Sequence, residues 1–366
     1  MSLNRPLRLI ELFGGIGTQA MALRDLGCTF ERYRLVEFDK HCIASYNAIH
    51  GTHFEVTDIR TLHGSDLGVV DVDDWCYLMT YSFPCTDLST QGAMRGMSRA
   101  DWESRKSTRS GLLWEVERLL NELPDDRLPD ILVMENVTQV HSSKNINDFD
   151  SWRGYLRKRG YQNFCADLDA LDYNVPQHRE RCFMVSIRAD VPIGFKFPGK
   201  IPLERVTVDC LEDDADASYY MTRDTAKAMY HELVKAGLVG EHEHTCIPRY
   251  LGNCCGYKHG SGFDGSVFDS YAPMKTLVRS CGGIPYVADD KGIRKLTPRE
   301  CWRLMGFHDY DFDKAAGVCS KTQLYHQAGN AIVEPVLMAV FRQLFIALAL
   351  FKVGGCYATE DIHTER

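Results

Sequence analysis

The residues that most restrict this chain stand at its start. Leu7-Arg8-Leu9-Ile10-Glu11-Leu12 reads as a strand, Phe13-Gly14-Gly15-Ile16-Gly17 as a glycine turn, and Thr18 to Leu26 as an apolar-periodic helix. Strand, glycine turn and helix are the opening of a nucleotide-binding βαβ unit, which puts the chain in the α/β class. Glycine lets backbone approach a ligand closely. The turn lacks the full GxGxxG spacing, so it serves a pyrophosphate poorly.

Further apolar runs end in residues suited to chemistry. Tyr33 to Val36 is followed by Glu37-Phe38-Asp39. An acid at the end of the second strand can accept from ribose hydroxyls, or it can cap the helix that starts at Lys40. Asp39 fits the cap and Glu37 the ribose. In Thr57-Asp58-Ile59, Asp58 either accepts from an adenine amine or caps a turn. Together these loops suit an adenosine-bearing cofactor that is not a dinucleotide.

Tyr77 to Tyr81 reads as a buried strand ahead of Phe83-Pro84-Cys85-Thr86-Asp87-Leu88-Ser89. Pro84 removes a backbone donor and ends the ladder. Cys85 then sits at a strand's carboxyl end, where open α/β sheets place their chemistry. It is either a nucleophile or one more buried thiol. Pro129 to Met134 ends in Glu135-Asn136-Val137. Beside an apolar run, the Glu135 carboxyl would be raised by desolvation and could donate a proton near neutral pH. Between strands Tyr161 to Leu168 and Arg181 to Ile187 lies Pro176-Gln177-His178-Arg179-Glu180-Arg181. Arg179 and Arg181, two apart on extended backbone, share a face. They could hold a phosphate, steady a thiolate, or simply be solvated.

The remaining features bound the architecture. A chain of 366 residues has room for two domains. No run reaches the ~18 apolar residues of a membrane span, and the amino terminus has no secretory h-region. Fourteen cysteines at irregular spacing fit a reducing cytosol. Cys246, Cys254, Cys255, His244 and His259 hint at metal, but the spacing matches no paired CxxC pattern and no metal is assigned. A net charge of −8 argues against a protein that coats nucleic acid, though not against one basic face. One cluster holds Arg95, Arg99, Arg105, Lys106 and Arg109; another holds Lys291, Arg294, Lys295, Arg299 and Arg303. Thr90 to Ser110 is hydrophilic without a period and reads as a lid beside Cys85. Residues 189–293 are loop-rich, with short strands around Met274 to Arg279. Thr297, Pro298 and Glu300 make a capping box that restarts helix. Gln327 to Ile332 leads into a long closing helix. The change of texture after Arg188 reads as a second, loop-rich domain.

Taken in order, FGGIG, EFD, TDI, FPCTDLS, ENV, QHRERCF, RKLTPRE and GNAIVEPV resemble the successive motifs of the cytosine-5 DNA methyltransferases, in that family's bacterial or phage modification type. The resemblance implies two lobes with DNA in the cleft between them. One is a Rossmann-like, S-adenosylmethionine-dependent catalytic lobe with a mostly parallel sheet, a cofactor-binding domain over 1–188 plus 320–366. The other is a smaller, loop-rich target-recognition lobe with its hinge, over 189–319. By position, Phe13 would stack on the adenine, with Gly15 and Gly17 under the methionine end. Glu37 would hold the ribose and Asp58, beside Ile59, the adenine amine, while Pro84 and Asn330 line the pocket. Cys85 would add to carbon 6 of a flipped cytosine, Glu135 would serve ring nitrogen 3, and Arg181 with Arg179 would favour the thiolate. S-adenosylhomocysteine would be the product.

Thr86, where the family usually has Gln, and Phe38, where it usually has Trp, depart from the pattern. Arg249, Asn253, Lys258 and Arg279 are candidate base readers. The resemblance further implies a cytoplasmic monomer on double-stranded DNA, either with a restriction endonuclease partner or as a solitary or phage-borne enzyme. Two other readings use the same motifs: an RNA (tRNA) cytosine-5 methyltransferase, and a non-catalytic DNA-binding relative.

Overall fold

The computed structural model describes residues 5–85, 88, 96–99, 102, 109–188, 193–255, 264–279 and 281–348. Its large sheet holds β1 (Leu7–Leu12), β2 (Phe30–Val36), β3 (Cys76–Tyr81), β4 (Ile131–Asn136), β5 (Tyr161–Asp169) and β6 (Glu180–Arg188), in the order β2-β1-β3-β4-β6-β5. β6 alone runs against its neighbours. The helices are α1 (Thr18–Asp25), α2 (Lys40–His50), α3 (Leu113–Asn121), α4 (Ile146–Lys158), α5 (Asp224–Lys235), α6 (Pro298–Arg303), α7 (Asp309–Ala316), α8 (Lys321–Asn330) and α9 (Glu334–Ala347).

The sheet is buried on both faces because its central strands carry apolar residues on both of their alternating sides. Leu9, Leu78, Ile131 and Val133 join the core under α1 and α9. Ile10, Met79, Leu132 and Met134 join the core under α3 and α4. The strand order reverses between β1 and β3. The crevice at their carboxyl ends is therefore the topological switch point, where open α/β sheets bind ligands.

The second sheet holds β7 (Tyr250–Asn253), β8 (Ser266–Phe268), β9 (Tyr286–Asp289) and β10 (Gly292–Lys295), in the order β10-β9-β8-β7. Ala226 and Leu233 of α5 pack with Val267, Ala288 and Ile293 in its own small core. The strand expected over Met274 to Arg279 is not there. That segment makes a single bridge, Met274 to Gln177. Its backbone groups go instead to the loop before β6. Met274 N donates to Pro176 O at 2.8 Å, and Leu277 N to Gln177 Oε1 at 2.9 Å. Backbone and side-chain groups of the loop before β6 thus take the place of a neighbouring strand.

The capping box at Thr297 forms as its residues require. Thr297 N donates to Glu300 Oε2 at 2.7 Å and Glu300 N to Thr297 Oγ1 at 3.2 Å. Arg294, in the second basic cluster, is not a surface cation. It is buried and grips Glu300 through two bonds of 2.9 and 2.7 Å, with Asp289 at 2.6 Å. Lys291, Arg299 and Arg303 also pair with carboxylates. Breaking a buried pair leaves an uncompensated charge. Arg294→Met is expected to cost about 3–5 kcal/mol in urea unfolding.

The helices over 298–316, assigned from sequence to the second domain, pack on the first. Arg24 of α1 donates to Asp311 of α7 at 2.9 and 2.7 Å, and Trp302 and Phe312 join the core that contains Leu9. The closing helix is interrupted at Ala331-Ile332-Val333. Lys321–Ala347 has the length and mean hydropathy (1.4) of a membrane-crossing helix, but half of its most apolar window is buried. Its second part, α9, lies against α1.

Candidate active site

The turn after β1 is held by backbone geometry that few residues permit. Phe13, Gly15 and Gly17 have φ of 57°, 56° and 83°. A Cβ on Gly17 would meet His50 Nε2 at 2.4 Å and the Tyr46 ring at 2.5 Å, whereas nothing lies within 4 Å of one on Gly15. The turn is packed behind Gly17 and open beside Gly15. Gly17→Ala combines left-handed strain with overpacking and is expected to cost about 3 kcal/mol, read as a fall of the thermal midpoint.

Glu37 ties this turn to the end of β2. Its Oε2 accepts from Gly15 N at 2.9 Å and its Oε1 from Asp39 N at 2.7 Å. Burial pushes its carboxyl up, against the pull of these N–H groups. Asp39 takes the cap, accepting from His41 N at 2.8 Å. Phe38 beside it is 68% exposed. Thr57 N donates to Glu37 O at 2.8 Å, which joins the third loop to the second. There Asp58 caps a turn, accepting from Arg60 N at 3.0 Å, and it also pairs with the Arg60 guanidinium, which holds the carboxylate low. An adenine amine would have to share this carboxylate with Arg60. Ile59 puts its side chain into the core rather than toward a pocket.

An exposed aromatic ring, a carboxylate with lone pairs to spare, and a turn open at Gly15 fit an adenosine-bearing ligand such as S-adenosylmethionine. Pro84 is half-buried across the switch point. Asn330 stands exposed at the end of α8.

Across the crevice, Cys85 follows β3 and is partly exposed. Its loop is braced at two carbonyls. Asn136 Nδ2 donates to Phe83 O at 2.9 Å, and Ser110 Oγ to Pro84 O at 2.7 Å. Asn136 thus joins the loop after β3 to the end of β4. Ser110 carried no sequence signal, since nothing local marks a hydroxyl that meets a loop 26 residues earlier.

Glu135, at the end of β4, is almost fully buried, and Arg181 Nε lies 3.4 Å from its Oε1. Burial raises the Glu135 carboxyl, while Arg181 and Arg179 pull it back. Cys85 feels the same set. Burial and the Glu135 charge push the thiol up, and Arg181 and Arg179 only partly offset them. Both arginines act in the expected direction, favouring the thiolate, but burial and the Glu135 charge outweigh them in the free protein. Desolvation of a small anion outweighs two cations when a carboxylate sits among them.

Arg179 also departs from its expected role of holding a phosphate. It is 3% exposed and donates to Leu277 O at 3.0 Å, Gly329 O at 3.0 Å and Ala331 O at 2.8 Å. It is a clamp between the 274–279 segment and the end of α8, and burial lowers its pKa to about 9. Gln177 is the companion clamp, donating to Leu304 O at 2.8 Å. The same seam explains Gly329, where a Cβ would meet Arg279 N at 2.5 Å.

The candidate DNA-facing residues divide. Arg99 pairs with Glu117, and Arg249 lies 3.5 Å from Asp269. Asn253 is spent on its own loop, donating to Asp264 O at 2.8 Å and accepting from Cys255 N at 2.9 Å. Arg279 is exposed. Thr86, Asp87, Ser89, Arg95, Arg105, Lys106, Lys258, His259 and most of the 90–110 segment lie outside the described residues. Among the described residues, Cys246, Cys254 and Cys255 form no cluster of metal ligands.

The family model for C-5 cytosine-specific DNA methylases matches residues 7–346. The chain belongs to this family. Among curated relatives, the C-5 methylase is 29% identical to the type II methyltransferase M2.ScrFI of Lactococcus lactis subsp. cremoris, over 93% of this chain and 99% of that protein. It is 30% identical to the orphan methyltransferase M.SssI of Spiroplasma monobiae, over 85% and 73%. Its fold is similar to that of the Dnmt2 methyltransferase of S. pombe, with a TM-score of 0.68 at 21% identity, covering 93% of this chain and 99% of the other. A putative DNA modification methyltransferase from an E. coli prophage superposes with a TM-score of 0.66 at 18% identity, covering 94% and 99%. The methylase is thus an enzyme of DNA cytosine methylation on an α/β methyltransferase fold.

Proposed function

We propose that this methylase transfers a methyl group from S-adenosylmethionine to carbon 5 of a cytosine flipped out of duplex DNA, through a covalent adduct at Cys85. The observation that carries this reading is the shared environment of Cys85, Glu135 and Arg181 at the ends of β3 and β4, one strand from the Phe13–Gly17 turn.

S-adenosylmethionine, when bound, would supply an electrophilic methyl group, and Phe13, Gly15, Gly17 and Glu37, with the exposed Phe38 ring beside them, would hold it. Carbon 5 of cytosine is too weak a nucleophile to take it unaided. Cys85 Sγ bonds to carbon 6 and pushes electrons toward carbon 5. Glu135, whose raised carboxyl keeps a proton more readily than an exposed one, gives it to ring nitrogen 3. Arg181 steadies the carboxylate left behind. Carbon 5 then takes the methyl group, with S-adenosylhomocysteine as the leaving group; a base removes the carbon 5 proton, Cys85 departs, and ring nitrogen 3 returns its proton to Glu135. A stacked base cannot reach Cys85, so unstacking costs a few kcal/mol.

The second lobe, with its own sheet and core, would read the sequence beside the flipped base. Its extent, the monomeric state, a cytoplasmic location and any restriction endonuclease partner belong to this proposal.

The test is transfer of labelled methyl to duplex DNA and to tRNA. The proposal expects incorporation into DNA, and a denaturation-resistant protein–DNA complex on duplex containing 5-fluorocytosine. Labelling of tRNA alone would overturn it. Bisulfite sequencing of DNA from cells that express the chain would give the target.

A further inference from the structure

At the outer edge of the large sheet, beside the end of β4, His141, Asp167 and Cys182 bring metal-ligating atoms together, and Cys165 adjoins them through Cys182. Cys165 and Asp167 are two apart on β5 and so share a face. Cys182 of β6 lies opposite Asp167 in the ladder. His141 arrives from the short turn after β4. Its Nε2 lies 2.9 and 3.0 Å from the two Asp167 oxygens, and the sulfurs of Cys165 and Cys182 are 3.4 Å apart. The ligand atoms of His141, Asp167 and Cys182 all fall within 4.8 Å of one another.

We propose that His141, Cys165, Asp167 and Cys182 form a binding site for a soft divalent transition metal, zinc above all. Two sulfurs, one imidazole nitrogen and one carboxylate oxygen are the donor set that tetrahedral zinc accepts. With zinc–sulfur bonds of about 2.3 Å, two thiolates on one tetrahedral ion stand about 3.8 Å apart. The observed 3.4 Å needs only a small opening, whereas a disulfide needs closure to about 2.05 Å.

The register argues the same way. Cys165 faces Met184 and Cys182 faces Asp167, so the sulfurs meet diagonally and are not a directly opposed pair. Three of the ligands come from one β-ladder, a rigid frame. Cys182 is the buried floor, while Cys165 and Asp167 are exposed and leave the ion a way in. Binding releases both thiol protons and replaces the His141–Asp167 contact with two bonds to the ion. A bound ion would pin the edge of the sheet to the turn that follows Glu135.

The test is titration of the reduced, chelator-stripped full chain with Co2+ and then Zn2+. One cobalt per chain is expected, with a thiolate-to-cobalt band in the near ultraviolet and tetrahedral bands in the visible, all displaced by zinc. Cys165→Ser, at an exposed position, should weaken cobalt binding and cut the thiolate band to that of the single Cys182 sulfur. Asp167→Asn should weaken cobalt binding by more than about 10-fold. Cys246→Ser, exposed in the second lobe, should change neither. Zinc should raise the thermal midpoint of the wild type more than that of C165S. No band, a band undiminished in C165S, or a band lost in C246S would overturn the proposal. So would a metal-free chain whose mass before reduction lacks two hydrogens and regains them in C165S, since that marks a disulfide in place of the ion.

Discussion

Cys85→Ser is expected to lower methyl transfer to duplex DNA by about 10⁴-fold or more, because the nucleophile proposed to bond to carbon 6 is lost while the shape of the loop is kept. Serine has the volume and hydrogen-bonding reach of cysteine, so the braces from Asn136 and Ser110 to Phe83 and Pro84 stay in place. Its hydroxyl ionises far less readily than a thiol in a site that already disfavours the thiolate. Single-turnover transfer of labelled methyl would measure the loss. Calorimetric titration with S-adenosylhomocysteine should be unchanged, since the Gly15 turn and Glu37 are untouched. A serine variant that methylates within 10-fold of wild type would remove the covalent step.

Glu135→Gln is expected to do two things with opposite signs. Methyl transfer should fall by about 10²–10⁴-fold, the range that loss of a positioned acid produces. Alkylation of Cys85 should at the same time become faster at neutral pH. The Glu135 charge is one of the two influences that push the Cys85 thiol up, and the amide carries none. With the charge gone and Arg181 and Arg179 retained, the thiol pKa falls. The pH profile of alkylation then moves to lower pH. Peptide mapping after iodoacetamide labelling, pH by pH, isolates Cys85 from the other cysteines. A profile that stays in place would show that Glu135 and Cys85 do not share a field.

The opposing signs also bear on mechanism. A site that stabilised the thiolate permanently would invite oxidation and adventitious alkylation. Here burial and a neighbouring carboxylate hold the thiol back. The two arginines remain in place to stabilise the anion once the carboxylate is engaged by a base.

Much of the catalytic lobe was legible because its elements are local. Each buried strand is a short apolar run, and each is ended by a residue that breaks the ladder or caps the next helix. Pro84, Asp39 and the Thr297–Glu300 box behave as their chemistry requires within a few residues of chain. The motif residues Cys85, Glu135 and Arg181 were readable for a related reason, since each lies at or beside the end of a strand of the sheet.

What could not be read depends on partners far apart in sequence. Arg294 looked like surface charge until Glu300 and Asp289 enclosed it. Arg179 looked like a ligand-binding cation, but three carbonyls from 277, 329 and 331 take its protons. Met274 to Arg279 has strand composition and forms none, because Gln177 and Arg179 satisfy its backbone first. The amino-acid order alone determined which residue types reach the crevice, since strand alternation and turn chemistry act over neighbouring positions. Only the tertiary fold decided which of those charges are spent internally, and that burial and a neighbouring carboxylate push up the thiol at the centre. Burial and the sum of opposing fields are properties of atoms brought together from across the whole chain.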